Sequence, residues 1–287
     1  MKTLITRTLS GAVYVALIVW AILWNDFAFA AVFAVLAALT TYEFHKLTNK
    51  QENVNALAWL GAVCSVLLFV SNFLMHLKNE IEYISSKLFY IAVIMIAIYT
   101  FLIFGTFIIE IFRKKSNPIH NIAYVFLGQI YIAIPFVLMF TIYEEFAAIL
   151  LLSVFVIIWA NDSFAYLIGS WLGKHKMCER ISPKKSWEGF AGGLIGAFIV
   201  VCILFKFLPV EIFNYYNLNL WQWLIFALII VIFGTLGDLF ESLIKRTIGV
   251  KDSGNIMPGH GGFLDRLDSV IFAVLPALTF LFFCQFI

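Results

Sequence analysis

Long, continuous stretches of apolar residues dominate the chain, and short polar segments separate them. Nine stretches approach the roughly 20 residues that a helix needs to cross the hydrocarbon core of a bilayer. They are Leu9–Trp24, Phe27–Tyr42, Ala56–Leu74, Leu88–Phe112, Ile122–Tyr143, Ala147–Ile168, Phe190–Leu208, Leu220–Leu236 and Val270–Ile287. Polar and apolar residues do not alternate within these stretches, as they would in the strands of a membrane barrel. In hydrocarbon, an open chain can form all of its backbone hydrogen bonds only as a helix. The pattern therefore predicts an all-α polytopic integral membrane protein with about nine transmembrane helices.

The composition excludes a soluble globular protein. Hydrophobic residues make up 63% of the chain, including 31 Phe, and only 13% of residues are charged, against about 25% in ordinary soluble domains. The formal net charge of +2 is too small to indicate a nucleic-acid partner. The four cysteines show no CxxC spacing, so neither a disulfide framework nor a zinc site is expected.

The basic residues indicate how the helices are oriented. With nine spans, every one of the 19 Lys and Arg residues except Lys78, Lys87 and Lys206 falls on one side of the membrane. The positive-inside rule assigns that side to the cytoplasm. We therefore expect a cytoplasmic N-terminus and a C-terminus on the opposite side.

Polarity divides the chain into two parts. Residues 1–145 are expected to form an N-terminal transmembrane scaffold of about five helices, joined by unremarkable loops. Residues 146–287 are expected to form a catalytic membrane domain of about four helices. Its two polar cytoplasmic loops, 169–189 and 237–269, concentrate Gly, Pro, His and charged residues.

The second polar loop carries carboxylates at helical spacing. Asp238, Ser242 and Lys245 would share one stripe of a helix, and Asp265 and Asp268 are three residues apart. Close carboxylates repel unless a cation lies between them, and Mg²⁺ is the ion that Asp pairs hold when the substrate carries phosphates. For any single Asp, a solvated salt bridge with a neighbouring Lys or Arg is the simpler interpretation.

A glycine-rich turn, PGHGG at residues 258–262, lies between these carboxylates. Gly261 and Gly262 would let backbone N–H groups approach an anion closely, although a tight turn would need the same residues. His260 could donate a proton or bind phosphate, or could simply be a hydrogen-bonded structural group.

The first polar loop carries the sequence ISPKKSWEG, in which hydroxyls flank Lys184 and Lys185. This composition suits phosphate, but basic residues at a cytoplasmic membrane edge also attract anionic lipid headgroups. Ser186 additionally has the position of a helix N-cap. Upstream, Asn161 and Asp162 interrupt an apolar run, which indicates a cavity, a partner or headgroup depth. Glycines at 189, 192, 193 and 196 fit close helix packing.

These motifs together resemble the signature of the phosphatidate cytidylyltransferase family, also called CDP-diacylglycerol synthases. The match runs through Ser242-x-x-Lys245-Arg246-x4-Lys251-Asp252 and Pro258-Gly259-His260-Gly261-Gly262-x2-Asp265-Arg266-x-Asp268, and extends to SPKKSWEG and WANDSFAY. The N-terminal half resembles the family only in hydropathy. Two residues depart from the family's usual pattern. Met257 is similar in size to the usual Leu, Ile or Phe, and Ser186 keeps the hydroxyl of the common Thr.

The resemblance implies that CMP is transferred from CTP to phosphatidic acid, which gives CDP-diacylglycerol and pyrophosphate. It implies Mg²⁺ held by Asp238 and Asp265, and a location in the bacterial inner membrane with the active site facing the cytoplasm and membrane lipids around it. A homodimer is a further possibility. The implied catalytic residues are Asp238, Asp265, Lys245, Arg246, Asp268 and His260. The implied substrate-binding residues are Ser182, Lys184, Lys185, Ser186, Glu188, Asn161, Asp162, Ser242, Lys251, Asp252, Gly261, Gly262 and Arg266.

Two other functions compete with this hypothesis. A secondary transporter would also have many spans and an intramembrane Asp, but it should repeat its polar residues and broken helices in both halves. Here the polar groups cluster at one end of the last four spans. A CTP-dependent kinase of a lipid alcohol is a closer alternative, and the long signature favours the cytidylyltransferase.

Overall fold

The fold is almost entirely helical in the computed structural model, which describes residues 2–80, 85–207, 218–257 and 261–285. The helices are α1 (Lys2–Trp24), α2 (Asp26–Thr48), α3 (Ala58–Glu80), α4 (Ser85–Phe112), α5 (Pro118–Gly128), α6 (Ile134–Glu145), α7 (Ala148–Leu172), α8 (Trp187–Phe207), α9 (Leu220–Ile248) and α10 (Leu264–Gln285). A π-helical turn, Gln129–Ala133, joins α5 to α6. The prediction of an all-α fold is confirmed.

Most of the predicted spans are long enough to cross a membrane. Among the described residues, eight helical segments have the necessary length and apolar character, with α5 and α6 counted as one. The remaining predicted span lies in α1, whose apolar part, Thr8–Trp24, is shorter. The length and apolar composition of its helices therefore identify the chain as an integral membrane protein.

Sequence signals explain where several helices begin. Asn25 separates α1 from α2 by a single residue, and its side-chain oxygen accepts a hydrogen bond from Ala28 N at 2.8 Å, which satisfies one free N–H of the first turn. Pro118 opens α5, where its missing N–H costs nothing. Ser186 precedes α8 and accepts from Gly189 N at 3.1 Å, so the predicted N-cap is confirmed.

The helices belong to two compact units. The first consists of Met1–Phe140 and Thr247–Arg266, and the second of Thr141–Arg246 and Leu267–Ile287. The segment 247–266 thus packs with the first unit, whereas the sequence analysis assigned it to the C-terminal domain. The proposed division of labour between residues 1–145 and 146–287 stays a prediction.

Aromatic side chains form much of the core of the first unit. The rings of Phe29 and Phe33 stack with their centroids 4.1 Å apart, and Phe33 meets Phe136 edge-on at 6.2 Å. All three side chains are fully buried. Pairs of this geometry add to the stabilisation that burial itself provides.

A buried histidine links three helices of the first unit at the π-helical turn. His45 of α2 lies against Gly61 of α3 and Gly128 of α5, and its Nε2 is 3.1 Å from Tyr124 O. Beside it, Gln129 donates to Gly61 O at 3.0 Å. The two glycines leave the space that the imidazole ring fills.

A second polar network in the first unit joins the end of α4 to α5 and to the loop before α3. The buried Glu110 pairs with Arg113 and accepts from Asn121 Nδ2 at 3.0 Å. Arg113 and Asn121 both hydrogen-bond Asn55, in the loop before α3. Each member of this network has a partner, as burial of polar groups requires.

Glycines form the seam between α7 and α8 in the second unit. A Cβ atom added at Gly192 would lie 2.5 Å from Ile168 Cβ, and one added at Gly196 would lie 2.7 Å from Phe164 Cβ. Both distances are too short for carbon atoms, so the helices approach this closely only because side chains are absent. The prediction that these glycines serve helix packing is confirmed.

Replacement of a seam glycine is expected to destabilise the protein. Gly192→Ala places a methyl against a β-branched side chain that cannot yield, at a cost of about 1–3 kcal/mol. Gly105→Ala is the matched control, because a Cβ added at this helical glycine meets nothing within 4 Å. In a detergent-solubilised thermal melt, Gly192→Ala should lower the midpoint and Gly105→Ala should not. Equal midpoints would contradict the tight seam.

Candidate functional site

The predicted polar stripe forms on α9, with one change of partner. Ser242 Oγ donates to Asp238 Oδ1 at 3.3 Å, as the spacing of four residues predicts. Lys245 instead pairs with Glu241, also four residues away on the same helix. The stripe thus contains a hydrogen bond between Ser242 and Asp238 and an ion pair between Lys245 and Glu241.

Three carboxylates meet beside this stripe. Asp238 and Glu241 of α9 and Asp268 of α10 each place an oxygen within 4.8 Å of the others. Glu241 and Asp268 are buried, and Asp268 Oδ1 accepts from Ser269 N at 2.7 Å. Gly237 permits the contact between helices, since a Cβ there would lie 2.6 Å from Asp268 O. Oxygen atoms of this kind and spacing suit a hard divalent cation.

The first polar loop folds into a β-hairpin, the one regular β-sheet in the part of the chain that the structure describes. Strands β1 (Lys176–Cys178) and β2 (Ser182–Ser186) pair antiparallel. Glu188 fastens the base of the hairpin by accepting from Lys174 N and His175 N at 3.2 Å, and its Oε1 lies 2.6 Å from His175 Nδ1. The side chain of Glu188, which was predicted to bind substrate, therefore forms hydrogen bonds at the base of the hairpin.

The hairpin is fixed to α9 by two contacts. Lys185 Nζ lies 2.6 Å from Asp238 Oδ2, and Arg246 Nε donates to Ile181 O at 3.2 Å. Both side chains of the ion pair remain partly exposed, at 25% and 34%. The pair therefore lies where a dissolved or lipid-borne group can reach it.

A cavity of about 540 Å³ opens next to this ion pair, entirely within the second unit. Its polar lining includes Asn161, Asp162, Lys176, Lys184, Lys185, Ser186 and Asp238. Tyr166, Phe190 and Met177 supply an apolar part of the wall. A cavity with cations and carboxylates at one wall and apolar side chains at another suits an amphipathic ligand.

Asn161 and Asp162 contribute to the cavity in different ways. Asn161 is buried against Gly193 of α8 and donates to Asp162 Oδ1 at 3.3 Å. Asp162 is exposed at the cavity wall. The two polar residues that interrupt the apolar run therefore face a cavity, which was one of the expected alternatives.

The remaining signature residues lie in the first unit. Asp265 accepts from Gly262 N at 2.8 Å and from Ser253 N and Oγ at 3.0 and 2.9 Å. Gly261 has a φ of +85°, which favours glycine. The amide that could have approached an external anion at Gly262 donates to Asp265 instead.

The other predicted site residues differ in how far they are exposed. Lys251, Asp252 and Arg266 are exposed, and Ser182 is half-buried in β2. His260 lies outside the described residues. The two predicted metal ligands belong to different units, Asp238 to the second and Asp265 to the first, so their joint role stays a prediction.

Sequence reasoning missed Glu241, Ser253 and Glu43. Glu241 could have been found, since it follows Asp238 by three residues and precedes Lys245 by four on one helix. Glu43 was visible only as an acidic residue at the end of an apolar run. Its partners lie in the loop between α9 and α10, and no pattern in one sequence connects them.

Comparison with known proteins identifies the family of the chain. The sequence matches the Cytidylyltransferase family over residues 5–284. Proteins named phosphatidate cytidylyltransferase from Staphylococcus haemolyticus and Staphylococcus saprophyticus are 41% identical to it, and one from Staphylococcus aureus strain COL is 42% identical. Each match covers 171 residues, which is 60% of this chain and 63% of the relative's length. Since the family match spans nearly the whole chain, the protein belongs to the cytidylyltransferase family.

Proposed function

We propose that the protein transfers CMP from CTP to phosphatidic acid and so makes CDP-diacylglycerol and pyrophosphate. The observation that carries the proposal is the Lys185–Asp238 pair at the wall of an amphipathic cavity, in a chain of this family. The names of the similar staphylococcal proteins support the same reaction.

The reaction requires positioning and charge stabilisation more than a covalent nucleophile. A phosphate oxygen of phosphatidic acid attacks the α-phosphorus of CTP, and the bond from that phosphorus to the β-phosphate oxygen breaks as pyrophosphate leaves. Negative charge grows on the leaving oxygen, so fixed cations near it lower the barrier. We assign four basic residues to the phosphates of CTP: Lys245, Arg246, Lys251 and Arg266.

The cavity suits the lipid substrate. Lys184 and Lys185 lie at its wall with the apolar side chains of Tyr166 and Phe190. A phosphate headgroup can bind the lysines while the chains beneath it contact apolar surface. We assign this pair of lysines to the headgroup of phosphatidic acid, from which the nucleophilic oxygen comes.

The carboxylates beside the pair fit a Mg²⁺ ion. Asp238, Glu241 and Asp268 would hold it, because their oxygens lie within 4.8 Å of one another. The metal role of Asp265 stays a prediction. When bound, the ion would neutralise charge on the triphosphate. Lys185 and Lys245 orient two of the three acids through their ion pairs.

The first test is direct formation of product. Purified protein in detergent, given radiolabelled CTP, phosphatidic acid and Mg²⁺, should convert the label into lipid-soluble cytidine nucleotide. Excess EDTA should abolish conversion, and added Mg²⁺ should restore it. When a lipid alcohol replaces phosphatidic acid, transfer of the γ-phosphate of CTP to that lipid, without transfer of cytidine label, would indicate the lipid-alcohol kinase instead. Full activity in EDTA would contradict the metal assignment.

The second test concerns the lysines. Lys185→Ala should raise the KM for phosphatidic acid about 10- to 100-fold, because a hydrogen bond to a charged group contributes about 1.5–3 kcal/mol. Lys245→Ala should act mainly on kcat, since this lysine is paired with Glu241 in the acid cluster. Lys174→Ala is the control, because its exposed side chain lies outside the cavity lining. The reverse pattern of effects on KM and kcat would refute the assignment.

The third test concerns orientation, which we propose places the hairpin in the cytoplasm of a bacterial cell. Single cysteines at two exposed positions, Glu179 in the hairpin turn and Lys87 at the start of α4, are introduced into a variant without native cysteines. A membrane-impermeant thiol reagent should label position 87 in right-side-out vesicles and position 179 in inverted vesicles. Labelling of both positions from one side would refute this topology.

A further inference from the structure

A carboxylate of the N-terminal half lies under the loop that connects α9 to α10. Glu43 of α2 is 3% exposed. Its Oε2 accepts from Phe263 N at 2.9 Å, and its Oε1 accepts from Ser253 Oγ. Both donors belong to the α9–α10 loop (residues 249–263), of which residues 249–257 and 261–263 are described.

The same loop holds the signature carboxylate Asp265. Ser253 N and Gly262 N both donate to Asp265 Oδ2. The Ser253 hydroxyl, which has one hydrogen, lies within hydrogen-bond distance of both Asp265 Oδ2 and Glu43 Oε1. Ser253 therefore lies between two acids, with Glu43 on one side and Asp265 on the other. Any displacement of Ser253 alters the hydrogen bonds that orient Asp265.

The loop backbone is shaped around the Glu43 carboxylate. A Cβ added at Gly254 would lie 2.8 Å from Glu43 Cδ, and one added at Gly262 would overlap the carboxylate. These glycines thus permit close approach to Glu43. A buried carboxylate is costly unless it accepts hydrogen bonds, so Glu43 favours the loop conformation that supplies Ser253 and Phe263 as donors.

We propose that Glu43 is a positioning residue for Asp265, acting through Ser253 and Phe263. α2 then does more than support the membrane domain, because it fixes the part of the signature that lies in the first unit. The expected effect on catalysis rests on the proposed function, whereas the expected effect on the loop does not.

The test combines hydrogen exchange with kinetics on four variants. Glu43→Ala removes both acceptors. Glu43→Asp keeps the charge but shortens the side chain, and it serves if the Ala variant does not fold. Glu43→Gln keeps the length, an acceptor for Phe263 N and a donor to Ser253 Oγ. Thr41→Val is the control. Thr41 lies on the same helix as Glu43, and the substitution removes its buried hydrogen bond of 2.8 Å to Ser65 of α3.

We expect Glu43→Ala and Glu43→Asp to speed amide exchange in a peptide covering residues 251–265 while peptides from α3 and α4 keep their protection. Turnover at saturating CTP and phosphatidic acid should fall about 10- to 100-fold, as is typical when a partner that orients a ligating side chain is removed. Glu43→Gln should recover most of the protection and turnover. Thr41→Val should leave the loop and turnover unchanged.

Three results would overturn the proposal. These are wild-type exchange in the 251–265 peptide of the Ala and Asp variants, wild-type turnover in them, or a Gln variant as impaired as the Asp variant. Faster loop exchange in a protein whose wild type makes no CDP-diacylglycerol would instead support positioning of Asp265 and refute the proposed function alone.

Discussion

The burial of carboxylates is the constraint on which most of this structure depends. Moving a charged group out of water costs several kcal/mol or more, unless hydrogen bonds or cations compensate. Glu43, Glu110, Glu241 and Asp268 are each no more than 7% exposed. In the first unit, Glu43 is hydrogen-bonded by Ser253 and Phe263 of the α9–α10 loop, and Glu110 pairs with Arg113, which follows the end of α4. The helices that carry these acids therefore help to fix where the connecting segments lie.

The same constraint applies to the acids of the second unit. Asp238, Glu241 and Asp268 place oxygens within 4.8 Å of one another, and a lysine pairs with each of the two acids on α9. The glycines decide how near these groups come. Gly237 brings α10 to α9, and the seam between α7 and α8 sets the cavity beside them. Small residues and acids therefore act together to build the site.

The sequence predicts the helices well because hydrophobicity alone determines them, and it predicts local features such as the Ser186 cap and the Asp238–Ser242 pair because their partners lie within one turn. It does not predict the β-hairpin, whose strands are too short and polar to show alternation. Nor does it predict the contact of Glu43 with Ser253, which joins residues 210 positions apart. Long-range pairing depends on packing that no local pattern encodes.

Under the proposed function, the Lys185–Asp238 pair would link the binding of an anion to the binding of a cation. At 2.6 Å the two side chains satisfy each other. An anion that takes the ammonium group releases an oxygen of the carboxylate, and a cation that takes the carboxylate releases the ammonium group. Because such coupling is reciprocal, each ligand would raise the affinity of the site for the other, and no movement of α9 would be needed. An anionic lipid and a metal ion would then bind cooperatively. Either one alone would have to break the Lys185–Asp238 ion pair in order to bind.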